Sequence, residues 1–223
     1  MADEPVPVGA SNERVRATYD RVAGVYERLL GPVEAPSQRR AVALLAAEAD
    51  LGLAGARVVE VGCGPGGRLA DLRRRVGQDG TVVGLDAAPA MADRAQGRGG
   101  TAVLGDARRL PLAAGSVDAV CALDVLELFS ASDLRRVLRE VTRVLRPGGL
   151  LCVAAMTTAD VPDSRFLRAY ERLYRGVPGA GRVGCRPVDV GGALAETGFA
   201  VVRRERAVRA GVWPVACVVA RPR

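Results

Sequence analysis

The residues best suited to chemistry fall in three short stretches. Glu60 stands two residues ahead of the run Gly62-Cys63-Gly64-Pro65-Gly66-Gly67. Glycines there permit a tight turn and let a ligand approach the main chain closely. The run Arg57 to Val61 before the loop reads as a strand, and Leu69 to Val76 after it as a helix. The loop therefore opens a helix, whose first N–H groups are unpaired and attract electronegative ligand atoms. Asp86 closes the next apolar run, 20 residues after Gly66. A carboxylate at that place can accept both hydroxyl protons of a ribose. Asp106 closes a third run, in Gly105-Asp106-Ala107. Its carboxylate can take the exocyclic amine of adenine while the Ala107 N–H meets a ring nitrogen. Together these describe an adenosine-binding site at the switch point of a parallel sheet.

The glycine spacing alone leaves the rest of the ligand open, because Gly62-x-Gly64-x-x-Gly67 also satisfies a dinucleotide fingerprint. Glu60 tips the balance. A pyrophosphate would feel its repulsion; a ligand with a sulfonium and an ammonium would not. The loop also follows two helical segments instead of opening the chain.

Composition narrows the chemistry further. The chain has 223 residues, 49% of them hydrophobic, enough for a sizeable core. Its net charge is +7, and its 32 basic residues are all arginine, with no histidine, lysine or isoleucine. This bias resembles GC-rich codon usage, so the basic balance is weak support for a nucleic-acid partner. Without histidine or lysine, the usual neutral-pH base and the usual Schiff-base nucleophile are excluded. The five cysteines show no C-x-x-C spacing, so no metal site is expected. Cys121, Cys152 and Cys217 lie in apolar strand-like runs, where buried thiols are ordinary. An odd cysteine count with no secretory signal points to a reducing cytoplasm. The apolar stretch Leu150 to Met156 is too short to span a bilayer.

These residues need a scaffold, and the hydrophobic periodicity supplies one. Residues 1–10 read as a disordered leader. A helix is expected from Ser11-Asn12-Glu13 to about Leu30, stopped by Gly31-Pro32, and a second from about Ser37 to Leu51. Strands then alternate with helices: Arg57–Val61, Thr81–Leu85, Thr101–Leu104, Val117–Leu123 and Leu150–Met156 as strands, with helices over Leu69–Val76, Pro89–Gln96 and Ser132–Leu145, the last capped by Ser132. A helix over Pro187–Thr197 and two strands, Phe199–Ala207 and Val212–Ala220, close the chain. The pattern predicts an α/β, Rossmann-like fold: a seven-stranded, mostly parallel sheet, helices on both faces, and one antiparallel strand near the C-terminus. Three parts are expected: the leader 1–10, N-terminal helices over 11–52 acting as a lid, and an α/β domain over 53–223 with a substrate-cap insert at 157–186.

The ordered set Val58-Val-Glu-Val-Gly-Cys-Gly-Pro-Gly66, Val83-Gly-Leu-Asp86 with Met91, Gly105-Asp-Ala-Arg-Arg-Leu-Pro-Leu112, Val117-Asp-Ala-Val120 and Leu145-Arg-Pro-Gly-Gly-Leu150 resembles the class I S-adenosylmethionine-dependent methyltransferases. It is most similar to the branch of type 11 and type 25 enzymes that includes ubiquinone- and menaquinone-biosynthesis methyltransferases. Tyr19-Asp-Arg-Val-Ala-Gly-Val-Tyr26 resembles that branch's N-terminal signature. The resemblance covers about residues 15–155 and implies S-adenosylmethionine as cofactor, with S-adenosylhomocysteine as product. It places Glu60, Gly62 and Gly64 at the methionine moiety, within the cofactor-binding loop that also contains Cys63 and Gly66. It places Asp86 at the ribose, Ala87 and Met91 beside the adenine, and Asp106 and Ala107 at its edge. Leu123 borders the cofactor and faces the substrate, and Tyr19 and Tyr26 lie on a helix closing over it.

One position departs from the pattern. Many relatives carry a histidine after the fourth strand, where this chain has Leu128 in Leu123-Asp-Val-Leu-Glu-Leu-Phe129. Asp124, Glu127 and Tyr19 remain as candidate catalytic groups, although alignment and exclusion of water alone can drive methyl transfer. Lacking a strong base, the site suits an S, N or C nucleophile better than an alcohol, on a small, apolar or aromatic metabolite of secondary metabolism. Phe166, Tyr170 and Tyr174, at helical spacing in the insert, are candidate substrate contacts. The alternatives are a peripheral phospholipid N-methyltransferase and a cofactor-binding protein with a non-methylating activity. A monomer or homodimer is expected.

Overall fold

The computed structural model describes residues 12–98, 100–157, 168–169, 172, 186–209 and 213–223. The leader and the residues Phe166, Tyr170 and Tyr174 of the expected insert lie outside the described residues.

Seven strands form one sheet: β1 (Arg57–Val61), β2 (Thr81–Asp86), β3 (Ala102–Leu104), β4 (Val117–Leu123), β5 (Leu145–Met156), β6 (Phe199–Arg209) and β7 (Trp213–Pro222). Their order is β3-β2-β1-β4-β5-β7-β6. All pairings from β3 to β5 are parallel, and β7 runs antiparallel to both β5 and β6. The expected fold class is the observed one. The order reverses between β1 and β4, so the carboxyl ends of these strands open onto the crevice where such sheets bind ligands.

Among the described residues, six α-helices surround the sheet: α1 (Asn12–Leu29), α2 (Gly31–Glu48), α3 (Leu69–Val76), α4 (Pro89–Gly97), α5 (Ala131–Val144) and α6 (Val190–Glu196). Strand side chains alternate between two cores, as a two-residue period requires. Val59, Val61, Val120, Ala122, Leu151 and Val153 pack with Leu134, Val137 and Leu138 of α5 and Leu194 of α6. Val58, Cys121, Leu123, Cys152, Ala154 and Cys217 pack on the opposite face with α2, α3 and Ala95 of α4. Each of the three strand cysteines is thus a small apolar core residue. A third, smaller cluster joins Ala23 of α1 to Ala88 and Met91 at the start of α4, with Tyr19 and Tyr26 against it.

Element ends depart from expectation for identifiable reasons. Gly31-Pro32 stops α1, but α2 begins there at once, because proline in the first turn loses no hydrogen bond. The second helix therefore starts at Gly31, not Ser37, and gains a turn that carries Glu34. Ala41, Val42, Leu44 and Leu45 make α2 a layer of the main core. Helix α5 is capped by Ser130, whose hydroxyl accepts from the Asp133 N–H, and not by Ser132. Helix α6 starts at Val190, capped by Asp189. Strand β5 starts at Leu145, five residues early, with its register to β4 shifted opposite Asp118. Among the described residues, no helix is long and apolar enough to cross a membrane.

Candidate cofactor and substrate site

The loop after β1 folds as its glycines require. Gly62 has φ +67° and Gly64 φ +52°. A β-carbon on Gly62 would stand 2.4 Å from Val125 Cγ2, so this turn admits no side chain. The Gly62 and Cys63 N–H groups donate to the Leu85 carbonyl at 2.7 and 3.1 Å, tying the loop to the end of β2. Asp86 at that end accepts from the Gly64 N–H at 2.8 Å and the Ala88 N–H at 2.9 Å. Each oxygen keeps a second lone pair for a ribose hydroxyl. Burial is the main cause raising the Asp86 pKa, opposed by these backbone donors.

Glu60 is buried, and its Oε2 has no hydrogen-bond partner. Burial pushes its pKa to about 8; the Arg68 guanidinium pulls it down and Asp86 pushes it up. Arg68 likewise has a buried Nε without a hydrogen-bond partner. A buried Glu60 carboxyl oxygen and a buried Arg68 guanidinium nitrogen, each without a hydrogen-bond partner on one cavity wall, fit the ammonium and carboxylate of an amino-acid moiety. The Cys63 thiol is raised by burial, then by Glu60 and Asp86, and stays protonated.

These groups line a cavity of about 690 Å³. Of the expected residues, it brings together Tyr19, Tyr26, Glu60, Gly62, Cys63, Gly64, Asp86, Ala87, Met91, Asp106, Ala107, Leu123 and Asp124. Gly66 is not part of this wall; a β-carbon on it would stand 3.0 Å from Ala95. Glu127 is not part of this wall; it is buried beside β5, where its Oε1 accepts from the Met156 N–H at 3.4 Å. Asp106 is held by Arg108, which donates from Nε and Nη2 at 2.6–3.1 Å, and this contact lowers the Asp106 pKa.

The same wall contains residues that sequence reasoning missed. Gln38 Nε2 donates to Asp124 Oδ2 at 3.0 Å, and the Tyr26 hydroxyl donates to Glu34 Oε1 at 2.9 Å. Burial first, then Glu34 and other neighbours, hold the Tyr26 phenol far above its ordinary pKa, so it acts as a neutral donor. Val15, Pro32, Ala35, Leu128 and Phe129 add apolar surface. Only helix periodicity could have flagged Glu34 and Gln38, four residues apart on α2, and that signal was hidden by starting the helix at Ser37. Among the described residues, no cluster of three or more His, Cys, Asp or Glu could hold a metal ion.

An open parallel sheet with a glycine loop, two acidic strand ends and a buried acid beside that loop defines an adenosyl-cofactor site of the Rossmann-like kind. Residues 59–153 match the family model described as a methyltransferase domain, of type 11. A malonyl-acyl-carrier-protein O-methyltransferase of Laribacter hongkongensis is 34% identical over 209 residues, covering 86% of this chain and 63% of that protein. The chain spans 36% and 58% of the lengths of two other curated relatives. Two solved structures share the fold. Magnesium protoporphyrin IX methyltransferase from Synechocystis, with bound S-adenosylhomocysteine, aligns with a TM-score of 0.69 at 19% identity, over 93% of this chain and 99% of its own. The 4+2 cyclase SpnF aligns with a TM-score of 0.72 at 20% identity, over 97% and 98%. Residues 59–153 form a type 11 S-adenosylmethionine-dependent methyltransferase domain, and S-adenosylmethionine is its cofactor.

Proposed function

We propose that this protein methylates an S, N or C nucleophile of a small, apolar or aromatic metabolite, with an oxygen nucleophile the less favoured choice. The observation that carries the reading is the composition of one cavity wall. It combines Glu60, Asp86 and the glycine loop with Val15, Leu128 and Phe129, and it offers Asp124, from the segment after β4, as a cavity-lining carboxylate. When bound, S-adenosylmethionine supplies a methyl group already activated on a sulfonium. Glu60 and Arg68 would hold its amino-acid end, Asp86 its ribose, and Asp106 with Ala107 its adenine edge, between Ala87 and Met91. Tyr19 and Tyr26 on α1 cover the site as a lid and exclude water; their rings meet at 5.6 Å between centroids. Tyr26 stays neutral and Glu127 stands outside the wall, so alignment and desolvation do most of the work, with Asp124 as the available proton acceptor.

The test is a panel of thiols, amines, activated aromatic carbons, phenols and carboxylates, incubated with the protein and cofactor and read by mass spectrometry. Methylated thiol, amine or carbon products are expected. Methylation confined to oxygen would contradict the choice of nucleophile, and the O-methyltransferase relative makes that arm necessary. No product from any class would favour a non-methylating activity.

A second reading, contact with a membrane surface, has its own support. Val25 and Leu29 are half or more exposed on α1, close in sequence to Arg21 and Arg28, which form no ion pair among the described residues. Cosedimentation with anionic vesicles, reversed by salt and lost in Leu29→Asp, is the result this reading expects. No sedimentation at low salt would eliminate it.

A further inference from the structure

One residue grips the Asp106 carboxylate. The Arg108 N–H donates to Oδ1 at 2.9 Å. The Arg108 Nε donates to Oδ1 at 3.0 Å and to Oδ2 at 3.1 Å, and its Nη2 donates to Oδ2 at 2.6 Å. A fork of this kind fixes the plane of a carboxylate as well as its charge, which sets it apart from an ordinary surface pair. The acceptor count follows. Both lone pairs of Oδ1 are engaged. Oδ2 accepts from Nη2 and shares the Nε hydrogen with Oδ1, so it keeps one acceptor direction. The Asp106 side chain is still 46% exposed, and it lines the cavity. Hydrogen bonding from Arg108 also lowers the Asp106 pKa, so the group accepts and does not donate at neutral pH.

Arg108 is itself anchored. Its Nη1 reaches Asp133 Oδ2 at 3.5 Å, in the first turn of α5, and α5 is buried through Leu134, Val137 and Leu138. The main chain under the carboxylate is fixed as well. The Gly105 N–H donates to the Asp86 carbonyl and the Arg109 N–H to the Asp106 carbonyl, both at 2.9 Å. The Leu110 N–H donates to Glu140 Oε2 at 2.8 Å. The residue expected at the adenine edge therefore holds a set position relative to the residue expected at the ribose. Among the described residues, Arg108 is the only ion-pair partner of Asp106.

We infer that Arg108 is a positioning residue of the cofactor pocket, which presents Asp106 as an acceptor in a single direction and so makes the site select a 6-amino purine over a 6-oxo purine. The amino group donates into the direction that Oδ2 keeps. A 6-oxo group would set acceptor against acceptor there and leave both without a hydrogen. Without Arg108 the carboxylate is free to turn away from the base, and that penalty disappears. This inference rests on the reading of Asp106 and Ala107 at the adenine edge, and it adds a residue that acts through Asp106.

The test needs no knowledge of the methyl acceptor. S-inosylhomocysteine differs from S-adenosylhomocysteine only in its base, which carries a 6-oxo group and a ring N–H. The ratio of their affinities, measured by calorimetry at neutral pH, reports discrimination at that edge. The wild-type protein should prefer S-adenosylhomocysteine by about a hundredfold or more. Asp106→Asn should lower the ratio by at least about tenfold, since an amide can turn its NH2 toward a 6-oxo group. Arg108→Ala should lower it by about fivefold, as expected for misaiming a charge-assisted hydrogen bond. If Arg108→Ala does not fold, Arg108→Met removes the same side-chain donors and keeps an aliphatic stem. An unchanged ratio in the Arg108 variant, with a lowered ratio in Asp106→Asn, would overturn the positioning role. Equal weakening of both ligands in the Arg108 variant would do the same and mark Arg108 as structural. An unchanged ratio in Asp106→Asn would instead overturn the placement of Asp106 at the adenine edge, and the inference with it.

Discussion

Burial holds the Glu60 carboxyl at about 8, against an ordinary value of 4.5. Its proton is therefore retained in the folded chain over a range where the unfolded chain has lost it. The sign follows: the unfolded state binds fewer protons between about 4.5 and 8, so stability falls as pH rises through that window and levels off above it. Binding a ligand ammonium has the opposite preference, since it favours the ionised carboxylate. Affinity for S-adenosylhomocysteine should therefore rise from pH 6 to pH 8, by up to about tenfold per unit, and Glu60→Gln should flatten the profile. Calorimetry across that range checks it; a wild-type profile as flat as that of the variant would remove Glu60 from the ammonium site. Glu60, Asp86 and Asp106 stood out in the sequence because each lies at or near the end of a strand beside a local motif. Gln38, Glu34 and Arg108 did not, because their partners are chosen by packing. Arg108 lies two residues from Asp106, yet nothing in that spacing says its guanidinium will turn back onto the carboxylate.

At the scale of elements, α1 is fastened to α4 at two points. Asp20 Oδ1 accepts from the Ala90 N–H at 3.0 Å, which satisfies a donor in the first turn of α4 that no side chain at the cap serves. Glu27 pairs with Arg98 at the other end of α4. The first contact resembles a helix cap, and Asp20→Ala should cost about 1 kcal/mol of stability. The second pair is largely exposed and screened, so Arg98→Ala should cost well under about 1 kcal/mol. Denaturant unfolding checks both, and faster hydrogen exchange across α1 in Asp20→Ala is expected to accompany the first. A larger loss from Arg98→Ala would show that the pair is better shielded than its exposure indicates. The loop makes a sharper case: Gly62→Ala places a β-carbon against Val125 at a left-handed φ, and should lower stability by about 2 kcal/mol or more. Strand positions were easy to read, since their apolar runs are short and bounded. Helix starts were harder. Ser130 and Ser132 both precede the buried stripe of α5, and only the tertiary position of its first turn selects Ser130. Gly31-Pro32 ends one helix and begins the next, a double role that composition alone does not express.

The cavity lies where the strand order reverses, between β1 and β4. Two cores of alternating strand residues fix β1, β2 and β4, and those strands set Glu60, Asp86 and Asp124 around a common space. The N-terminal helices contribute differently: α2 is part of a core, while α1 rests on a small cluster around Ala23 and Met91. If α1 acts as the proposed lid, its few buried residues let it move without disturbing the sheet. The central claim is that this space takes an adenosyl sulfonium cofactor and not a dinucleotide. Calorimetric titration of the wild-type protein and of Asp86→Ala with S-adenosylhomocysteine and with NAD tests it most directly. Binding of S-adenosylhomocysteine in the micromolar range, about tenfold or more weaker in Asp86→Ala, with no measurable binding of NAD, is the predicted result. Preference for NAD, or S-adenosylhomocysteine binding that ignores the loss of Asp86, would contradict it.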